Sequence, residues 1–86
     1  MNINELIAIV KKKLKKEIVI QVLKIADKSF LHKNHKGHRE GKFHLKLIIK
    51  SDELTKSSKI ISTKKIYSIL NLELKEYIHS IQILLN

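Results

Sequence analysis

The sequence contains no cysteine, no proline and no tryptophan, and only two glycines and one arginine among its 86 residues. Without cysteine, the chain cannot form a disulfide framework, a thiolate metal site or a cysteine nucleophile, so any metal must bind through histidine or carboxylate side chains. Only four residues are aromatic, which leaves isoleucine and leucine to build the core. A chain of this length can bury one modest core, so we expect a single domain over residues 1–86.

Residues arranged for catalysis are also scarce. There is no glycine-rich loop that would cradle a phosphate, and no serine, histidine and aspartate in a recognisable motif. Only eight residues are acidic, and most of them fall on expected helices or turns. Asp27 and Ser29 fit a turn at the end of a strand better than a catalytic pair. We therefore expect that the protein is not an enzyme.

The first sixteen residues, MNINELIAIVKKKLKK, place their apolar part before their lysines. A secretory signal has the opposite order, and this apolar run is much too short to span a bilayer. The expected location is cytoplasmic, with no membrane association.

The formal charge of +10 has two explanations. A basic surface can bind nucleic acid or an acidic partner. However, the chain has 17 lysines and one arginine, together with 15 isoleucines, which also follows from an AT-rich coding sequence. Arginine is the residue best suited to bidentate contacts with phosphates and guanines. The near absence of arginine favours compositional bias over a selected nucleic-acid interface.

Hydrophobic periodicity and capping signals predict six elements. In chain order they are a helix over 3–16, a strand over 17–26, a strand from Phe43 to Lys50, a helical turn at Ser51 to Glu53, a helix from Ser58 to Leu72 and a strand from Tyr77 to Leu85.

The same periodicity assigns the faces of these elements. In the long helix one face carries Ile60, Thr63, Tyr67, Leu70 and Leu74. In the second strand His44 alternates onto the solvent side, which predicts a surface or loop-bracing residue and not a ligand. In the last strand His79 shares a face with Ile81 and Ile83.

The element order αββααβ predicts an α+β fold with a three-stranded mixed sheet and helices packed on one face. The first two strands are expected to be antiparallel across the loop that joins them, whereas a helical crossover favours a parallel, right-handed connection from the second strand to the third. The start of the third strand then lies beside the start of the second. Topology alone is thus expected to bring His79 next to the loop that leads into the second strand.

That loop, from Asp27 to His44, holds four of the five histidines. Imidazole is a ligand for zinc, copper and iron, so the loop histidines with His79 are candidates for a metal site. The three-residue spacing of His32, His35 and His38 is a weak signal by itself, and solvated loop histidines are the more frequent explanation of such a pattern.

The order of several short motifs resembles the BolA family across nearly the whole chain. In chain order, these motifs are Asp27-x-Ser29-x-x-His32-x-x-His35-x-Gly37, Gly41-Lys42-Phe43-His44-Leu45, Ile49-Lys50-Ser51, Ile66-Tyr67, Glu73-Leu74 and Ile78-His79-Ser80-Ile81. None of these segments is specific by itself, whereas their order and spacing together are.

The resemblance implies a class II KH-like fold and a non-enzymatic partner of a monothiol glutaredoxin. Family members share a [2Fe–2S] cluster with the glutaredoxin and glutathione, in iron–sulfur cluster trafficking, maturation or iron regulation. The family's ligands correspond to His79 and to one loop histidine, either His32, which we prefer, or His35. The resemblance also implies that the isolated chain is a monomer that holds no cluster tightly.

The resemblance also implies one alternative function, a KH-like nucleic-acid-binding transcriptional regulator. Some family members are described as DNA-binding transcriptional regulators with an R-H-R motif at the start of the long helix. Here that position reads Ser62-Thr63-Lys64, which weakens this alternative. A nucleic-acid-binding function would have to use lysines of the helix, namely Lys59, Lys64 and Lys65.

Overall fold

The computed structural model describes residues 1–29 and 42–86 of the chain. Within these residues the elements are α1 (Ile3–Glu17), β1 (Val22–Asp27), β2 (Phe43–Lys50), α2 (Asp52–Thr55), α3 (Lys59–Ile69), α4 (Asn71–Glu76) and β3 (Ile78–Leu85). The expected α+β class and element order are confirmed, with the long helix divided into α3 and α4.

Helix α1 begins at a capped turn and buries a single stripe. The Asn2 side chain accepts a hydrogen bond from the backbone N–H of Glu5, so one of the unpaired N–H groups at the helix start is satisfied. Leu6, Val10 and Leu14 follow at four-residue steps and are fully buried. The lysine-rich last turn complements the helix dipole, as the sequence predicts.

The three strands form a sheet in the order β1-β2-β3. Strand β1 is antiparallel to β2, and β3 is parallel to β2, which confirms both expected connections. Alternate residues of β2, Leu45, Leu47 and Ile49, are buried under the helices. The core therefore lies between one face of the sheet and the helical layer, and the other face of the sheet, here called the open face, carries Lys24, Lys46 and Lys50.

The expected start of the first strand at residue 17 is wrong. Glu17 ends α1, and the strand begins only at Val22. Between them Ile18 is a buried cap of the helix, and the backbone carbonyl of Val19 accepts a hydrogen bond from Ser51 Oγ at 2.7 Å. These contacts with distant residues hold 18–21 as a connection, although its β-branched composition favours a strand.

The expected helix from Ser58 to Leu72 is interrupted, and its buried face is different. The helix breaks at Leu70, and α4 follows directly. Ile60 and Tyr67 are 69% and 43% exposed, whereas Ser62, Ile66 and Leu70 are buried. Ser62 Oγ donates to the carbonyl of Leu54 at 2.8 Å, so Ser62 faces α2. The buried side of α3 thus includes a polar residue, while apolar residues such as Ile60 and Ile61 are exposed.

Among the described residues, no helix is both long and apolar enough to cross a membrane.

A candidate histidine centre at the start of the parallel strands

The candidate site lies where β2 and β3 begin side by side. Phe43 is opposite Ile78, but His44 is opposite Ser80, so β3 carries one extra residue at this point, His79. Such a bulge redirects a side chain out of the regular alternation of a strand. Sequence reasoning places His79 with Ile81 and Ile83, and this is wrong, because those two pack on the core while His79 is exposed beside His44.

The rings of His44 and His79 contact each other. Their centroids are 4.8 Å apart, and the ring planes are tilted by 37°. Apart from this ring contact, the His79 side chain makes no hydrogen bond or ion pair in the described part of the chain. Its ring nitrogens are therefore not committed to another group of the described chain.

His44, in β2, is held by hydrogen bonds to β3 and to the residues that follow β1. Its Nδ1 and the Ser80 Oγ are 2.6 Å apart, a hydrogen bond whose donor depends on the tautomer. Its backbone N–H donates to Ser29 Oγ at 3.0 Å, and its carbonyl accepts from the Lys28 N–H at 2.7 Å. The residue is only 6% exposed. The prediction of a surface histidine is wrong, whereas that of a residue bracing the loop agrees with these bonds.

The turn that leads from β1 into the loop is fixed by its own side chains. Asp27 Oδ1 accepts from the backbone N–H of Ser29 at 2.9 Å, the short-range bond that aspartate forms in turns. Ser29 Oγ also accepts a hydrogen bond from the backbone N–H of His44, so residues at the two ends of the loop are directly connected. Asp27 and Ser29 thus have the structural role expected of them.

The loop histidines His32, His35 and His38 lie in residues 30–41, outside the described residues. Their proposed roles as ligands therefore stay predictions. Within 1–29 and 42–86, no group of three histidine, cysteine or acidic side chains could hold a metal ion. The described residues bring together two imidazoles, so further ligands would have to come from the loop or from another molecule.

Two features of the structure were not anticipated from the sequence. The first is the direct contact between the rings of His44 and His79, because topology predicted only that His79 lies next to the loop that ends at His44. The second is Glu73, which is 3% exposed and accepts from Lys13 Nζ at 2.7 Å across the helical layer. A glutamate between Leu70 and Leu74 on an apolar stripe was the signal for this buried acid.

The three candidate nucleic-acid lysines lie on α3, remote in sequence from the histidines. Lys59 and Lys64 border a shallow groove of about 590 Å³ whose other lining residues include Ile60, Thr63 and Tyr67. Lys65 Nζ lies 3.2 Å from Glu53 Oε2, so this lysine already forms an ion pair. The groove combines apolar side chains with two lysines that make no ion pair in the described part of the chain.

A protein-family model described as "BolA: BolA-like protein" matches residues 14–86. The chain belongs to this family. No curated protein matches it significantly by sequence.

Solved structures of BolA domains have the same fold. The BolA domain of SufE1 from Arabidopsis thaliana matches with a TM-score of 0.77 and 30% identity, covering 92% of this chain and 87% of that one. BolA1 from Arabidopsis thaliana matches with a TM-score of 0.76 and 24% identity over the same shares. BolA1 from Mus musculus matches at 0.67 and 19% identity, covering 90% of this chain and 60% of that one. The two less similar structures support the fold alone.

Proposed function

We propose that this BolA-like protein is a non-enzymatic partner of a monothiol glutaredoxin and shares a [2Fe–2S] cluster with it through histidine ligands. Its place would be in iron–sulfur cluster trafficking, maturation or iron regulation. The observation that carries the proposal is the bulge at the start of β3, which presents His79 as an exposed imidazole beside His44. The second ligand would be His32 or His35, with the glutaredoxin cysteine and glutathione supplying the remainder.

The donor set of the chain fits such a shared cluster. Imidazole nitrogen is an established ligand of [2Fe–2S] centres, where it raises the reduction potential relative to thiolate. Because imidazole must be neutral to bind, ligation also becomes sensitive to pH. The chain's own contribution is to hold His79 exposed, with His44 packed against its ring and fixed by Ser80.

The decisive experiment reconstitutes the complex from the chain, a monothiol glutaredoxin, glutathione, ferrous iron and sulfide, and records visible absorption and circular dichroism. His79→Ala should change the spectrum of the parent complex, because a nitrogen ligand is lost. Leu84→Ala is the matched control, since Leu84 is also exposed on β3 and lies at the other end of the strand from the histidines. A His79→Ala complex with the same spectrum as the parent would refute the proposal.

The same assay identifies the loop ligand. His32→Ala and His35→Ala are compared with the parent, and the ligand is the residue whose removal changes the spectrum. If neither variant changes it while His79→Ala does, neither His32 nor His35 is a ligand and this part of the proposal is wrong.

The alternative, a nucleic-acid-binding regulator using α3, has less support. Of its three candidate lysines, Lys65 is engaged with Glu53, and the remaining two border apolar side chains. Bidentate recognition of phosphate favours arginine over lysine, and α3 itself carries no arginine. Specific duplex DNA binding that survives moderate salt would favour this alternative.

A further inference from the structure

The outer side of α3 carries a groove, here called the α3 groove, that shares no residue with the histidine centre. It has a volume of about 590 Å³ and extends from the start of α3 to the junction with α4. Its lining residues recur mainly at three- and four-residue steps, so they lie on one face of the helix. In chain order the members of this stripe are Ile60, Thr63, Lys64, Tyr67 and Asn71.

The two largest apolar side chains of the stripe face solvent. Ile60 is 69% exposed and Tyr67 is 43% exposed, whereas Ser62 and Ile66 on the opposite side of α3 are buried. Single exposed apolar residues are common, but two that line one groove form a continuous apolar surface. Such a surface is typical of a site at which another molecule binds.

The charges around the groove are all positive. Lys59 and Lys64 border it, and neither forms an ion pair within residues 1–29 and 42–86. Helix α3 contains no acidic residue, and Lys59 is its first residue, where the helix dipole is also positive. The Tyr67 hydroxyl can donate a hydrogen bond. The groove therefore favours an occupant that combines apolar groups with carboxylates.

The same features argue against two other occupants. A second copy of the chain would bring the lysines of one α3 against those of the other, and like charges facing each other across an interface are unfavourable. Duplex DNA presents mainly phosphates and sugars, which suit the two lysines but do not cover a row of apolar side chains. An acidic protein surface with apolar side chains matches both the charge and the apolar lining.

We propose that the α3 groove binds an acidic amphipathic helix of a partner protein. A stripe from Ile60 to Asn71 is about 16 Å long at 1.5 Å per residue, the length of about three helical turns. A helix satisfies its own backbone hydrogen bonds, so it can bury an apolar face in a groove that offers no strand edge. Its apolar side chains enter beside Ile60 and Tyr67, and its carboxylates pair with Lys59 and Lys64. This interaction does not depend on the cluster function proposed above.

The test selects peptides on the immobilised chain from a phage library of random peptides about 16 residues long, enough for four helical turns. The enriched peptides should carry acidic residues and apolar residues at three- and four-residue steps. Synthesised and added to the labelled chain, they should shift the amide resonances of α3 in NMR spectra, and their circular dichroism should become more helical on binding.

Two pairs of variants separate the groove from its surroundings. Ile60→Ser should weaken binding of the selected peptide about 10-fold, as expected for an anchoring side chain of an interface. Ile61→Ser is the matched control, because Ile61 is 59% exposed on the same helix but does not line the groove, and it should bind as the parent does. Lys64→Gln should lower the affinity and its dependence on salt, whereas Lys24→Gln on the open face should change neither.

Several results would overturn the proposal. They are a selection that enriches no peptide, enriched peptides without acidic residues or without helical apolar spacing, and equal losses of binding in Ile60→Ser and Ile61→Ser. Duplex DNA that displaces the selected peptide from α3 at a comparable concentration would assign the groove to nucleic acid instead.

Discussion

His44 and His79 come from different strands and stand with their rings 4.8 Å apart. Two features of the sheet produce this contact. The parallel pairing aligns the starts of β2 and β3, and the extra residue in β3 turns His79 toward the ring of its neighbour. His44 is hydrogen-bonded to Ser80, so the exposed ring of His79 packs against a ring whose position is fixed.

We expect His44 to position His79. His44→Phe keeps a ring of similar shape but removes the nitrogen that bonds Ser80, so the ring should settle differently. The ring signals of His79 in NMR spectra of the isolated chain should shift. Thermal or denaturant unfolding should show a loss of about 1 kcal/mol from the missing hydrogen bond.

Ser80→Ala is the companion variant, because it removes the same hydrogen bond while leaving both imidazoles. Its His79 signals should shift in the same direction by a smaller amount. Unchanged His79 signals in both variants would show that His44 braces the loop without acting on His79.

The ion pair between the partly exposed Lys13 and the buried Glu73 connects α1 to α4. The Lys13 side chain is 38% exposed and that of Glu73 is 4% exposed, and Glu73 Oε1 has no hydrogen-bond partner within the described residues. Lys13→Met would leave a buried carboxylate without its cation. Because Lys13 is partly solvated, we expect a loss of about 2 kcal/mol in the free energy of unfolding, below the range for fully buried pairs.

A double-mutant cycle isolates this interaction. Combining Lys13→Met with Glu73→Leu removes both charges, and the double variant should be more stable than Lys13→Met alone. Additive losses in urea unfolding would mean that the two charges do not interact appreciably.

The hydroxyl of Ser62 is expected to hold α3 in its observed phase. Ser62→Ala removes the bond to the Leu54 carbonyl, and urea unfolding should show a loss of about 1 kcal/mol. Ser68→Ala, on the exposed side of the same helix, should leave stability within about 0.5 kcal/mol of the parent. If Ser62→Ala is as stable as the parent, the apolar residues of α3 alone determine which side of the helix is buried.

Binding of DNA should be weak and without sequence preference. With a charge of +10, the chain will attract duplex DNA at low salt, and affinity should fall steeply as salt is raised. Lys59→Gln with Lys64→Gln should weaken binding no more than two substitutions on the open face, Lys24→Gln with Lys50→Gln. Fluorescence anisotropy with two unrelated duplexes measures both effects. A clear preference for one duplex that is lost only in the α3 variant would contradict this expectation.

Several parts of the structure follow from local sequence. The stripe of Leu6, Val10 and Leu14 determines α1, because apolar residues at four-residue spacing lie on one face of a helix and can be buried together. Alternation in Phe43–Lys50 likewise determines β2, and Ser51 caps α2 as expected. The helical crossover determines that β2 and β3 are parallel, and with it that His79 begins beside β2.

Other parts depend on contacts between residues far apart in the chain. Residues 18–21 have the composition of a strand but are held as a connection by Ser51 and its neighbours. Periodicity does not decide which side of α3 is buried, because the helix has apolar residues on both sides; in the fold the buried side carries Ser62, which bonds the Leu54 carbonyl.

The amino-acid sequence by itself determined the fold class and the strand directions, because hydrophobic periodicity and the type of connection between strands can be recognised locally. Only the tertiary structure decided that His44 is buried and that its ring contacts His79. The bulge in β3 is the physical reason: a single extra residue changes which side chains share a face, and strand alternation carries no sign of it.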